Sequence, residues 1–363
     1  MIYKKTRFSV GIFRLILAIA VVIAHAKRVF YNNDESVFDS LISRDSTHIY
    51  ILSGHAVFVF FIISGFLMSM VINEKYSLMN DGKRKFIINR GLRLYPMNIA
   101  ILVMMFIFYS YTGVASYLTY TLPNQELPLT IASYFSNIFF LGAELITFNN
   151  NNWDYINPQI WSLSVELYFY ILAPFIVTRS IKLIFTLAFL SLCLRLFLYN
   201  EGFPPVPWRY FFFPSDLVFF LMGVLAHRTC TIKKHIKGVD AIICVRYLSV
   251  SCVTFIIFYK GFWPLTRDFD SLSSWLFFLL VSVSIPLLFT ITKNNSIDSF
   301  LGHLSYPVYI GHMFVITIVY HFSSEQYDRG LITLLITLSM SVLLYFMIDK
   351  PIDTYRRKMF QKK

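Results

Sequence analysis

Residues 50–72 read YILSGHAVFVFFIISGFLMSMVI, a run apolar on every helical face with one ionisable side chain, His55. No polar stripe at the 3.6-residue period divides it, so it is not the surface helix of a soluble domain. At 1.5 Å per residue the run spans a hydrocarbon core about 30 Å thick. Similar runs recur at 8–27, 94–112, 161–178, 182–199, 210–227, 239–259, 272–292, 304–322 and 330–348. The fold class that follows is all-α: a polytopic membrane protein of about ten transmembrane helices. Composition agrees, because only 14% of residues are charged, against about a quarter in soluble chains. The abundant Phe and Tyr suit lipid-facing surfaces and interfacial belts.

The formal net charge is +12, but the bases lie in short clusters between apolar runs. That distribution orients a membrane protein, and no basic domain is present to dock nucleic acid. With Lys4, Lys5 and Arg7 in the cytoplasm, ten spans place Lys75 to Arg93, Arg179/Lys182, Arg228 to Lys237 and Lys350 to Lys358 on the same side. Both termini are then cytoplasmic. Arg44, Arg267 and Arg329 are isolated bases on the opposite side. The segment 131–148 carries Ser133, Ser136, Asn137 and Glu144. Were it to cross fully, the two middle clusters would fall outside, so it reads as a re-entrant or interfacial helix buried against protein.

Ala24-His25-Ala26 mimics a signal-peptide cleavage site, but Arg14 and the spanning length favour a retained first helix. Cys193, Cys230, Cys244 and Cys252 form neither a disulfide framework nor a metal-ligand spacing, and no metal is expected. Phosphate-loop, nucleophile-elbow, zinc-protease and dinucleotide motifs are all missing. The chain reads as one integral membrane domain over 1–363 with no appended soluble domain. Membrane lipids are its constant partners, and a homo-oligomer fits as well as a monomer.

Ionisable groups inside spans are costly and point to function. Arg14 and His25 are eleven residues apart, nearly three helical turns. They therefore share a face about 16 Å apart along the axis. Taken singly, each has a plain reading: an arginine snorkelling at a helix end, a histidine satisfied in the core. Glu166 enters the fourth span in Trp161-Ser162-Leu163-Ser164-Val165-Glu166, at a depth similar to His25. It can orient a basic imidazole, or pair with Arg14 or Arg195 for structure. Arg90 and Arg93, one turn apart at a cytoplasmic mouth, can clamp phosphate or simply anchor the span. Ser64-Gly65 allows close helix approach, and His312 faces inward from Tyr306-Pro307-Val308-Tyr309-Ile310-Gly311-His312.

Arg14-x10-His25, Phe60-Phe61-x-x-Ser64-Gly65-Phe66, Arg90-x-x-Arg93 with Tyr95-Pro96, Trp161-Ser162-Leu163-x-Val165-Glu166, Tyr306-Pro307-x-Tyr309-x-x-His312 and the closing Lys350-Pro351 stand in the order seen in the acyltransferase-3 family. The chain resembles that family over nearly its whole length. The resemblance implies O-acylation of a carbohydrate, with acyl-CoA, usually acetyl-CoA, as donor co-substrate. The acceptor would be a surface polysaccharide, a lipid-linked glycan or a small glycoside, and the setting the bacterial inner membrane. By the same resemblance His25 is catalytic with Arg14 its partner, either taking the proton of a sugar hydroxyl or accepting the acyl group briefly, and Glu166 joins them by its depth. Arg90 and Arg93 match the family's donor-binding arginines; Ser64, Tyr309 and His312 are further candidates for the donor, and Trp161, Ser162 and His55 for the acceptor. A transporter or flippase of glycans or small molecules would also bury Arg, Glu and His, but often shows inverted repeats, and none is visible here.

Overall fold

The computed structural model describes residues 9–30, 47–114, 131–148, 156–232, 239–258, 268–323 and 328–361. Lys4, Lys5, Arg7, Arg44, the asparagine run 149–152, Lys233, Lys234, Lys237 and Arg267 lie outside the described residues. The described chain is all helical, as the apolar runs require. Its longer helices are α1 (Gly11–Phe30), α2 (Thr47–Glu74), α3 (Gly82–Thr112), α4 (Ile131–Phe139), α5 (Ile160–Ile176), α6 (Ile181–Asn200), α7 (Phe213–Ile232), α8 (Val239–Phe258), α9 (Leu272–Thr292), α10 (Ser296–Phe322), α11 (Arg329–Leu344) and α12 (Lys350–Gln361).

Each of the ten apolar runs is a helix, and α2, α3, α6, α9, α10 and α11 are long and apolar enough to cross a membrane. The count of clear spans among the described residues is therefore six. Among the four remaining helices, Arg14, Lys27 and Arg28 dilute α1. Helix α5 has only 17 residues. Within its most apolar window α2 is 94% buried whereas α11 is 22% buried. Protein packs round the first; lipid suits the second, and suits the exposed Phe106 on α3 and Phe185 and Phe189 on α6.

The described chain forms two compact units, each assembled from separated stretches. The first contains residues 1–17, 51–86 and 168–302. One close crossing joins α2 to α7 through reciprocal glycines. A Cβ added at Gly65 would lie 1.9 Å from the Phe220 carbonyl oxygen, and one at Gly223 would lie 1.9 Å from that of Ile62. Small residues here let the two backbones touch. Beside the crossing, Phe220 stacks between Phe61 and Phe169, with ring centroids at 4.5 and 4.4 Å.

At the start of α1, the orphan amides of Gly11 and Ile12 donate to the Asp298 carboxylate at 2.7 and 2.9 Å, joined by the Ser9 hydroxyl. An anion at a helix N-terminus satisfies both the donors and the helix dipole. The same unit buries a charge network. Arg195, fully enclosed, donates to Asp216 at 2.9 Å and to Asp270, and Asp270 also accepts from Arg209. Phe58 and Phe219 flank the Arg195 guanidinium at 5.0 and 5.1 Å. Removing one partner from such a set costs about 3–5 kcal/mol, because the others stay buried and unpaired.

The second unit contains residues 18–50, 87–167 and 303–363. Here 131–148 is broken: α4 has nine residues, and left-handed Phe140 (φ 64°) and Gly142 (φ 77°) separate it from a 3₁₀ segment, Ala143–Phe148. Nine residues rise only about 14 Å, too little to cross a bilayer. Polar side chains hold the segment to protein. Asn98 donates to the Asn137 carbonyl at 2.9 Å, Tyr95 to the Phe139 carbonyl at 3.1 Å, and Ser164 to the buried Glu144 carboxylate. That is why a stretch rich in Asn, Ser and Glu can sit among apolar helices.

Candidate active site

The second unit collects most of the residues singled out in the sequence. Residues 157–162 lead into and begin α5, and they press polar side chains against one turn of α10. Asn157 and Gln159 both donate amide hydrogens to the Ile310 carbonyl, at 3.1 and 3.2 Å. The Ser162 and Tyr309 hydroxyls are hydrogen-bonded at 2.7 Å. These donors fix the O/N assignment of both amides. Asn157 Oδ1 and Gln159 Oε1 are left buried, with no hydrogen-bond partner among the described residues.

His312 occupies the same turn and is fully buried. Its Nδ1 lies 2.7 Å from the Tyr309 carbonyl. A carbonyl only accepts, so Nδ1 carries the proton and Nε2 is the basic nitrogen. That Nε2 is also buried without a hydrogen-bond partner among the described residues. The ring of His25, from α1, lies against His312 with centroids 5.2 Å apart. The imidazole pair joins residues far apart in sequence, and the ring beside His25 is this histidine. Trp161 is buried on α5, and Glu166 is half-buried one turn beyond Ser162.

Arg90 and Arg93 lie on α3 in the same unit. Arg90 is buried, although the sequence reading leaves anchoring at a membrane mouth open for it. Hydrogen bonds gather three helix ends around them. Tyr306 donates to the Leu94 carbonyl at 2.8 Å, His303 meets Asp349 at 3.0 Å, and Arg356 donates from Nε to Asn89 Oδ1 at 2.6 Å. Arg90 and Arg93 both repel Arg356 through charge. Three guanidinium groups held together in this way fit a polyphosphate ligand, which would relieve the repulsion. Among the described residues no group of His, Cys, Asp and Glu is arranged to hold a metal ion.

Three of the candidates belong to the first unit. Arg14 sits beside Gly302, its Nη1 3.9 Å from where a Cβ would be. His55 is fully buried, bonded through Nε2 to Ser274 at 2.8 Å and edged by Phe269 and Phe277. Ser64 lies 3.5 Å from the Tyr170 hydroxyl. Their surroundings account for His55 and Ser64 as packed core groups.

Asn157, Gln159, Asn89, His303, Asp349 and Arg356 received no role in the sequence reading. The available signal was the buried amide: Asn157-Pro158-Gln159 opens an apolar span with two amides that must find partners inside it.

No curated protein and no solved structure matches the chain. The profile of the acyltransferase-3 family, described as an acyltransferase domain, matches residues 8–349. That match takes in α1 to α11 and both histidines of the buried pair. The chain therefore belongs to the acyltransferase-3 family, and it is an integral membrane acyltransferase.

Proposed function

We propose that the protein moves an acyl group, acetyl in the first instance, from acyl-CoA to a hydroxyl of a carbohydrate, either a surface polysaccharide or its lipid-linked precursor. The observation that carries this reading is the set of buried acceptors gathered at one turn of α10 without a hydrogen-bond partner among the described residues: His312 Nε2, Asn157 Oδ1 and Gln159 Oε1. A polyol offers hydroxyl donors to such atoms, and an unpartnered acceptor in a dry site is costly until it is satisfied. One of the three is an imidazole nitrogen with a second imidazole beside it. That is the equipment for taking a proton from a hydroxyl that is a poor nucleophile at neutral pH.

Acyl-CoA supplies an activated thioester. Arg90 and Arg93 would hold its phosphates, with Tyr309 completing the donor side. Along α10 the rise from His303, near the arginines, to His312 is about 14 Å, one leaflet of hydrocarbon core. A pantetheine arm is long enough to join the two places. His25 acts as the general base, Glu166 supports its protonated form, and Arg14 lies on the same helix. Trp161 and Ser162 stand on the acceptor side. Alanine at both Arg90 and Arg93 is expected to weaken acetyl-CoA binding at least about tenfold, since a charge-assisted contact contributes about 1.5–3 kcal/mol. Titration calorimetry on the detergent-solubilised protein measures this, and unchanged affinity in a well-folded double variant returns the pair to anchoring.

We read the helices of the ten apolar runs as spans of one domain in a bacterial inner membrane, with both termini in the cytoplasm. The basic clusters support that orientation. Cysteines introduced at Lys234 and at Asp34 should label from opposite sides of the membrane; labelling from the same side would reject the ten-span topology.

A further inference from the structure

We infer that Arg356, on the C-terminal helix α12, is a third phosphate-binding arm that completes the donor site with Arg90 and Arg93. The inference rests on the donor reading above and adds to it a residue outside the family match, which ends at 349.

Helix α12 is amphipathic, with Arg357 and Lys358 exposed and Arg356 turned inward. Pro351 stands in its first turn, where a missing amide is tolerated. The inward face is tied down at both ends of the cluster. Asp349, just before α12, holds His303 at 3.0 Å, and Arg356 reaches Asn89 Oδ1 at 2.6 Å. Asn89 and Arg93 are four residues apart on α3 and share a face. The Arg356 guanidinium is therefore delivered to the arginine face of α3.

Asp349 is engaged by His303, and Asp353 is divided between Arg357 and a longer 3.8 Å contact to Arg356. Both aspartates attract Arg356 against the repulsion of Arg90 and Arg93, in a partly buried place. A ligand bearing several phosphate oxygens offers acceptors that the three arginines can share. Asn89 takes the Nε edge of Arg356, and the guanidinium has further donors that a phosphate can share with Asp353. The ligand class is a nucleotide carrying more than one phosphate, as acyl-CoA does. An acidic lipid headgroup presents the same chemistry with fewer charges.

The test uses the full-length protein in nanodiscs of neutral lipid, with acetyl-CoA binding measured for wild type, Arg356→Ala, Arg356→Lys and Asn89→Ala. Arg356→Ala should raise the Kd about ten- to a hundredfold. Arg356→Lys should recover only part of the affinity, because an ammonium cannot serve Asn89 and a phosphate as a planar fork does. Asn89→Ala should show a smaller loss. A melting temperature within a few degrees of wild type excludes a folding effect. Wild-type binding left unchanged in Arg356→Ala would overturn the inference while sparing the donor reading. So would a loss seen only when acidic lipid is present, which would assign Arg356 to headgroups. Failure of the wild-type protein to bind acetyl-CoA would overturn both.

Discussion

Replacing His25 with alanine is expected to reduce acyl transfer by about 10²–10⁴-fold, the range that general-base catalysis contributes, with acetyl-CoA binding and folding retained. The hydroxyl of a sugar holds its proton firmly at neutral pH, so attack on a thioester in a dry site needs a base at contact distance. Two imidazoles are in place, His25 and His312, with rings 5.2 Å apart. His312 has one nitrogen committed to the Tyr309 carbonyl and is packed on all sides, whereas His25 is part-buried. That difference in burial favours His25 as the base and gives His312 the task of holding the hydroxyl or its proton. Glu166→Gln should cost less than His25→Ala, since it removes charge support and leaves the base. Transfer rates of purified, reconstituted variants measure both; near-normal transfer by His25→Ala would move the base to His312.

Gly65→Leu is expected to prevent folding. A Cβ at this position would lie 1.9 Å from the Phe220 carbonyl oxygen and 3.0 Å from the Phe220 Cα. Both are backbone atoms, so no rotamer change can make room. Helix α2 would have to withdraw from α7 by more than an ångström, and the matching contact of Gly223 with Ile62 would open with it. The buried stack of Phe61, Phe220 and Phe169 depends on the same approach. Ordinary overpacking costs about 1–3 kcal/mol, and loss of a whole helix crossing exceeds that. Yield of monodisperse protein and its melting temperature in detergent report the result. A Gly65→Leu protein that purifies normally with an unchanged melting temperature would contradict the crossing.

The helices were legible because lipid demands apolar side chains all round and a minimum length. Their ends were less so. Helix α3 begins at Gly82, twelve residues before the apolar run at 94, because Lys83, Arg84, Lys85, Arg90 and Arg93 are good helix formers that merely cannot sit in hydrocarbon. Hydropathy marks the membrane-compatible part of a helix and is silent on how far it projects. For the same reason the number of full spans is not fixed by counting apolar runs: Asp216 in α7 is paid for by Arg195, a tertiary partner.

Within the site, single residues were legible and pairings were not. His25, His312, Tyr309 and Ser162 each carried a signal as polar groups in apolar runs. That His25 meets His312 depends on how α1 and α10 pack, and the sequence spacing pointed instead to Glu166 by depth. Arg356 looked like one more base in a positive tail; its inward placement and its bond to Asn89 distinguish it from Arg357 next to it.

The central claim is that this membrane protein carries an acyl group to a carbohydrate hydroxyl. The most direct measurement is transfer of label from acetyl-CoA to a glycan acceptor by the purified protein in proteoliposomes, with free CoA followed in parallel. The account predicts label in the glycan, one CoA released per acetyl transferred, and loss of both with His25→Ala. Glycan crossing the bilayer unlabelled, with no CoA released, would contradict it and identify a transporter.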